Sequence, residues 1–355
     1  MRSAFHCIST RWAEQLSVAA QALKFTSFAV GGGTPLILDE GQLEELFCLA
    51  ELFGVHPSRV FTSVETSPEY TQKSVLRQLR ARGVERLSMG VQSFNETELK
   101  KLKRRSGLGT VVGALENIVE AGFPQFNLDL IYGIEGQTVE SFMRSLNTAL
   151  TYRPNELFIY PLYVRPGTRI DVRSTDDIGY AIYKSARELL VGQGFVQTSM
   201  RRFVRRETTE TEFSCGDEVM LSCGAGGRSY LGNLHYATPY AVRQQAIADE
   251  IDHYIRTTDF MTAANGFLLS TEEMQIRFII KNLMYHRGVD LAEYEKRFGE
   301  KPDRNLFREF TDRGWIEETG RIVRLTEEGM AYSDYIGQAF ISPAVRKLMS
   351  EYVYP

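Results

Sequence analysis

The sequence predicts an α/β fold: a sheet of parallel strands covered by helices and closed or half-closed as a barrel, then a small α+β region and a winged-helix-like C-terminal domain. Three observations predict it. Strand-like and helix-like segments alternate through residues 1–200. The strands are near-continuous apolar runs, as expected where helices cover both faces of a parallel sheet. Polar or glycine residues stand at the C-terminal ends of four successive strands, where ligands sit in such folds.

The stretch Val30-Gly-Gly-Gly-Thr-Pro35 follows the apolar run Phe25 to Val30. Glycines let peptide groups approach a small polar molecule closely, and Pro35 ends the pairing; read alone, the stretch is equally a plain turn. Ahead of it, Trp12, Leu16, Ala19, Ala20 and Leu23 recur at helical spacing, so Arg11 to Lys24 reads as an amphipathic helix. After it, Asp39 caps a helix with Leu43, Leu46, Phe47, Ala50 and Phe53 on one face, ended by Gly54. Strands follow at Val60 to Thr66, Arg86 to Gln92, Gln125 to Ile131, Glu156 to Leu162 and Phe195 to Met200. Helices separate them at Gln72 to Ala81, Glu96 to Leu102, Thr110 to Ala121 capped by Gly122, Val139 to Leu150, and Asp177 to Val191. The polar residues at the strand ends are Gly31 to Thr34, Glu65, Gln92 and Asp129. Each alone has a plain structural reading, as a solvated strand end, a backbone partner or a loop cap; together they mark a ligand surface.

Beyond Met200 the charged stretch Arg201 to Glu212 reads as a solvated loop. Val219 to Leu221 then leads into a glycine-rich turn, residues 222–230. Helices at Glu272 to Tyr285, Leu291 to Phe298 and Leu306 to Gly314 precede a hairpin, Trp315 to Leu325, and a helix from Glu327 to Phe340. Helices followed by a two-stranded wing suggest a winged helix. The domain expectation is 1–200 for the barrel, 201–270 for the connecting region and 271–355 for the C-terminal domain.

Composition narrows the function. The 355 residues are 43% hydrophobic, enough for a large core, and a net charge of −4 with a sequence pI near 5.9 leaves no basic field for nucleic acid or an anionic membrane. A small-molecule partner is expected. No apolar run is long enough to span a bilayer and the N-terminal residues have no signal-peptide pattern, so a cytoplasmic protein is expected. The four cysteines, Cys7, Cys48, Cys215 and Cys223, form neither a disulfide framework nor a close-spaced metal motif.

The motifs Val30-Gly-Gly-Gly-Thr-Pro35, Ser63-Val-Glu-Thr66, Arg86-Leu-Ser-Met-Gly-Val-Gln-Ser-Phe94 and Asn127-Leu-Asp-Leu-Ile-Tyr-Gly133 stand in order, with Cys223-Gly-Ala-Gly-Gly227 and Arg324-Leu-Thr-Glu-Glu-Gly329 after them. On these the chain resembles, over nearly its whole length, the radical S-adenosylmethionine proteins related to oxygen-independent coproporphyrinogen III oxidase, whose relatives include heme chaperones. The resemblance implies a partial (β/α) TIM-type barrel. It implies that Gly32, Gly33 and Thr34 hold S-adenosylmethionine and that Glu65, Gln92, Arg104 and Asp129 complete the surface, with Arg105 the alternative to Arg104. Carboxylates suit ribose hydroxyls or the methionyl ammonium, and an arginine can grip the methionyl carboxylate through two parallel bonds. No residue is assigned a catalytic role.

The family also carries a Cys-x3-Cys-x2-Cys loop for a 4Fe-4S cluster, and this sequence contains no such loop. The family's first strand and cluster loop would fall upstream of Arg11, so the expectation is a truncated chain, inactive as written, with loss of the cluster and retention of the pocket as the alternative. The intact protein would be a radical oxidoreductase acting on a tetrapyrrole, served by a flavodoxin or ferredoxin. The alternative function is a heme- or S-adenosylmethionine-binding chaperone. The chaperones' His-Asn-x-x-Tyr-Trp segment is replaced here by residues 208–213, Thr-Thr-Glu-Thr-Glu-Phe, which leaves His235 as a candidate heme ligand. A scaffold acting through the winged module is a third reading.

Overall fold

The computed structural model describes residues 11–13, 24–164, 175–205, 219–239, 241, 243–260, 262 and 265–352. They form two compact units. The first holds the described residues up to 182 and those between 207 and 267; the second holds those between 183 and 206 and from 268 to 352. Of the helix expected at Arg11 to Lys24, residues 11–13 are helical and 14–23 lie outside the described residues.

In the first unit β1 (Ser27–Val30), β2 (Phe61–Thr66), β3 (Arg86–Gln92), β4 (Gln125–Tyr132) and β5 (Glu156–Pro161) lie side by side in chain order, every neighbouring pair parallel. This is the mostly parallel sheet that the alternation of strand and helix predicts. The helices between the strands start and stop on local signals. Asp39 and Gln42 form a reciprocal capping box at the start of the helix Glu40–Leu52, Thr138 and Ser141 do the same for Val139–Thr151, and Gly122, at φ 62°, closes Leu108–Ala121. Their buried faces supply Phe47, Leu76, Leu115 and Phe142 to the core.

The register divides the sheet chemically. Val64, Leu87 and Phe126 align on one face, followed by Met89 with Leu128 and then Leu130 with Ile159, all buried and apolar. The alternate residues fall on the other face, because side chains change sides at every residue. There Ser63 aligns with Arg86 and Gln125, then Glu65 with Ser88, Asn127 and Glu156, then Gly90 with Asp129 and Phe158. Polar groups in such a layer must bond one another. Arg86 links three strands in doing so: its Nε donates to Glu156 Oε2 at 3.0 Å and its Nη1 to Ser63 Oγ at 3.0 Å. The Glu156 side chain is fully buried.

The second unit departs from the expected pattern. Only Phe195–Gln197 (β6) of the run expected from Phe195 to Met200 is strand, and it pairs antiparallel with Arg202–Arg205 (β7). The charged stretch from Arg201 is therefore not a solvated loop at its start. Arg201 and Arg202 are buried, and Arg201 forms an ion pair with Asp334, a partner too distant in sequence to be read locally. Residues 206–218 lie outside the described residues. The expected winged-helix pattern is present: helices Thr271–Leu283, Leu291–Phe298 and Asn305–Asp312 surround Phe278, Leu283, Tyr294, Phe310, Val323 and Ile336, with strands Val289–Asp290, Ile316–Thr319 and Ile322–Leu325 forming a small sheet. The helix expected from Glu327 to Phe340 is two, Glu327–Ala331 and Ser333–Ala339.

The arginine and glutamate of the polar layer are strongly interdependent, since removing one partner leaves the other's charge buried. Arg86→Met is expected to cost about 3–5 kcal/mol, whereas replacing Arg86 and Glu156 together by apolar residues costs far less; urea denaturation of the single and double variants measures both.

Candidate functional site

The site lies at the C-terminal ends of β1 to β4. After β1 the chain turns through Gly32 at φ 76° and Gly33 at φ 60°, left-handed values that favour glycine, and a side chain built on either would meet no other atom. This segment is exposed and open. Gly32 donates its N–H to Glu65 Oε2 at 3.1 Å, joining the ends of β1 and β2. Gly31 has the opposite surroundings: a Cβ there would stand 2.9 Å from Glu65 Cδ. Its missing side chain is the space in which the Glu65 carboxylate sits. Thr34 leads into the short turn Pro35–Ile37, and its hydroxyl makes no capping bond there.

Gln92 ends β3 in an unusual way. It is a buried non-glycine residue at φ 72°, and Ser93 N–H bonds Val91 O at 3.0 Å across it, which makes it the centre of a γ-turn at the point where the register against β4 shifts. Strain of this kind persists only where the surroundings enforce it and is characteristic of functional sites. The Gln92 amide folds back over Gly90, where a Cβ would lie 2.5 Å from Nε2.

Asp129 on β4 accepts from Asn127 Nδ2 at 2.8 Å, and the same amide donates to Ser88 Oγ at 2.7 Å. Asn127 Oδ1 is buried and has no hydrogen-bond partner among the described residues. Burial pushes the Asp129 carboxyl up to about 6; the Asn127 bond and the Arg86 charge act downward, the charges of Glu65 and Glu156 upward. Arg104 follows the helix Glu96–Lys101. Burial of part of its side chain lowers its pKa, and the charges of Glu69 and Asp129 oppose that. Burial works against ionisation of Glu69 too, but hydrogen bonds, chiefly from Ser106, and the Arg104 charge hold its carboxyl below the usual range.

The structure thus brings Gly32 onto Glu65, and places Arg104 and Glu65 within electrostatic reach of Asp129, with Gln92 paired against Leu130. Sequence reasoning missed Gly31 and Gly90 as the residues that make room for Glu65 and Gln92, and it missed Asn127 and Glu69. The first two had a legible signal, since each glycine lies on or beside the strand that carries or adjoins a polar strand end.

The cysteines are elsewhere. Cys48 is exposed on the helix Glu40–Leu52, Cys223 is partly buried with its thiol pushed up to about 12 by burial, and Cys7 and Cys215 lie outside the described residues. His235 is stacked on Tyr230 at 4.3 Å and meets Phe267 edge-on at 5.2 Å, with its Nε2 buried. Residues 208–213 lie outside the described residues.

Residues 10–149 match the Radical SAM superfamily and residues 269–332 match the HemN C-terminal domain. The chain thus carries a radical SAM domain followed by a HemN C-terminal domain. Among its relatives, the heme chaperone HemW of Bacillus subtilis (strain 168) is 27% identical over 334 residues, covering 88% of this chain and 84% of the relative. The oxygen-independent coproporphyrinogen III oxidase of Salmonella typhimurium is 35% identical over 292 residues, covering 76% and 62%. The structure of coproporphyrinogen III oxidase (HemN) from Escherichia coli superposes with a TM-score of 0.78 at 21% identity, covering 96% of this chain and 84% of that one, and so shows the radical SAM fold.

A radical SAM domain implies S-adenosylmethionine and a 4Fe-4S cluster. This sequence does not fit the cluster. Its four cysteines include no Cys-x3-Cys-x2-Cys spacing, a thiol held near 12 is a poor source of thiolate, and no group of three metal-ligating side chains occurs among the described residues. No helix among the described residues is long and apolar enough to cross a membrane.

Two results follow from the geometry. Gly90→Ala and Gly31→Ala each push aside the end of a flexible side chain, so each is expected to lower stability by only about 1 kcal/mol, while the Gln92 amide in the first and the Gly32–Glu65 bond in the second are displaced; side-chain amide and backbone NMR resonances report this. The Asp129 pKa in the folded state, about 6, lies above its ordinary value of 3.8, so the folded protein holds that proton more tightly than the unfolded chain. Its ionisation costs stability progressively between those values and fully above the higher one. Asp129→Asn is therefore expected to gain stability over the unsubstituted protein as pH rises through that window, and to gain none at the acid end, in denaturation curves taken across it.

Proposed function

We propose that this chain binds S-adenosylmethionine across the ends of β1 to β4. The single observation that carries this is the cradle itself: an open, left-handed Gly32–Gly33 turn bonded to Glu65, whose charge reaches Asp129, which in turn lies within electrostatic reach of Arg104. Glu65 and Asp129 against Arg104 leave one net negative charge, which complements the net positive charge of the ligand. Asn127 Oδ1, buried and lacking a donor, supports a polar guest on this face. Bound there, S-adenosylmethionine would supply an activated sulfonium. The backbone of Gly32 and Gly33 would lie against it, Glu65 and Asp129 would accept from its hydroxyls or ammonium, Gln92 would offer both a donor and an acceptor, and Arg104 would hold its carboxylate.

The HemN-like oxidoreductase reading, with a tetrapyrrole as substrate, a reductant protein as partner and the cytoplasm as location, extends this proposal through resemblance to that family. It needs cluster ligands that this sequence does not contain, so binding without reductive cleavage is the activity proposed for the chain as it stands. For a chaperone-like role, His235 is poorly placed as a heme ligand, since its Nε2 is buried in an aromatic stack.

Isothermal titration of the full chain with S-adenosylmethionine tests the proposal. Saturable binding is expected, weakened about tenfold by Arg104→Lys, which keeps the charge but loses the two-pronged grip. Affinity is expected to fall as pH drops below about 6, where Asp129 takes up its proton. Reconstitution with iron and sulfide is expected to leave the chain colourless. Failure to bind at any pH overturns the reading.

A further inference from the structure

Glu98 lies on the short helix Glu96–Lys101 and is only 4% exposed. Three donors converge on its carboxylate: Ser93 Oγ at 2.5 Å and Gln137 Nε2 at 2.9 Å on Oε2, and Ser141 Oγ at 2.6 Å on Oε1. All three are buried as well. A carboxylate so placed is expensive to desolvate and is tolerated only when its oxygens are bonded, which these are.

Each bond leads to a different part of the strand-end surface. Ser93 is the residue whose N–H closes the γ-turn over Gln92, and its Oγ also accepts from Asn95 N–H at 3.0 Å. Gln137 Nε2 reaches Ile131 O at 3.3 Å, two residues beyond Asp129, while its Oε1 accepts from Gly133 N–H at 2.8 Å. The helix carrying Glu98 ends in a turn with Lys103 at φ 53°, where Arg104 N–H bonds Leu99 O at 3.0 Å, and Lys101 Nζ ties that end to Glu135 O at 2.6 Å. One side chain therefore links the end of β3, the end of β4 and the helix that delivers Arg104.

We propose that Glu98 is a positioning residue, whose carboxylate enforces the strained turn at Gln92 and sets it in register with Asp129 and Arg104. This rests on the reading that those three residues contact S-adenosylmethionine. A non-glycine residue at φ 72° relaxes unless its neighbours over-determine it, and the Ser93–Glu98 bond supplies that restraint from outside the ligand surface. Glu98 itself touches no proposed ligand contact. Its effect on binding is transmitted through Ser93 and Gln137.

The test is titration of the full chain with S-adenosylmethionine, beside thermal melting of every variant. Glu98→Met keeps the length and removes both oxygens; it is expected to weaken binding about tenfold, as is Ser93→Ala, which removes the tie from Glu98 to the turn together with the acceptor of Asn95 N–H, leaves the Glu98 carboxylate in place and guards against a misfolded Glu98→Met. Glu98→Gln is expected to stay within about threefold of the unsubstituted chain, because Ser141 Oγ can accept from the new amide while the remaining oxygen keeps Ser93 and Gln137. Ser93→Ala combined with Gln92→Ala is expected to bind no more weakly than Gln92→Ala alone, since the first acts through the second. Phe310→Ala, in the core of the second unit, serves as a destabilised control that melts earlier without losing affinity. The proposal is overturned if Glu98→Met and Ser93→Ala bind as the unsubstituted chain does, if the Ser93 and Gln92 losses multiply, or if Phe310→Ala loses as much affinity as Glu98→Met. If the unsubstituted chain does not bind, the reading of the site falls, and the role of Glu98 with it.

Discussion

A parallel sheet flanked by helices hides most of its surface from water, and this one places polar side chains on one of its faces. The buried charged groups there need partners inside the protein. Arg86 meets that demand by reaching from β3 to Ser63 on β2 and to the fully buried Glu156 on β5. The layer it organises stands directly beneath Asn127 and Asp129, so the site is the upper margin of a polar network that begins deep in the sheet.

The same economy of space appears at the strand ends. Two side chains are admitted by two glycines: a Cβ on Gly31 would crowd the Glu65 carboxylate, and one on Gly90 would crowd the Gln92 amide. The glycines that a ligand would meet, Gly32 and Gly33, have open space around them instead. Adjacent residues of one Gly-Gly-Gly run thus do different work, one making room inside the protein and two leaving room outside it. The charge arrangement follows from this packing. Asp129 ionises reluctantly chiefly because it is buried, and the nearby Glu65 and Glu156 charges add to that.

What was legible in the sequence was whatever depends on neighbours along the chain. Alternation of apolar runs with amphipathic segments located β1 to β5, and polar residues toward the ends of those runs made Glu65, Gln92 and Asp129 candidates, although Asp129 stands three residues before the end of β4. The missing cluster motif was equally legible, because cysteine spacing is local. What depended on distant partners was not. The stretch Arg201 to Glu212 looked solvated, but at its start Asp334 and an antiparallel pairing with Phe195–Gln197 give Arg201 to Arg205 a buried role. The importance of Gly90 lies in a side chain two residues away folding back on it, and that of Glu98 in donors from the end of β3 and from the loop and helix beyond β4. Neither leaves a periodic trace.

The turn at Gln92 sets stability against affinity within a single residue. Glycine would adopt its backbone angles without cost and would also free the space over Gly90. A library of this chain sorted for heat tolerance alone would therefore drift toward glycine at position 92 and discard the amide. The persistence of glutamine there in a thermally neutral comparison would be a fingerprint of selection for a guest molecule, readable without knowing what that guest is.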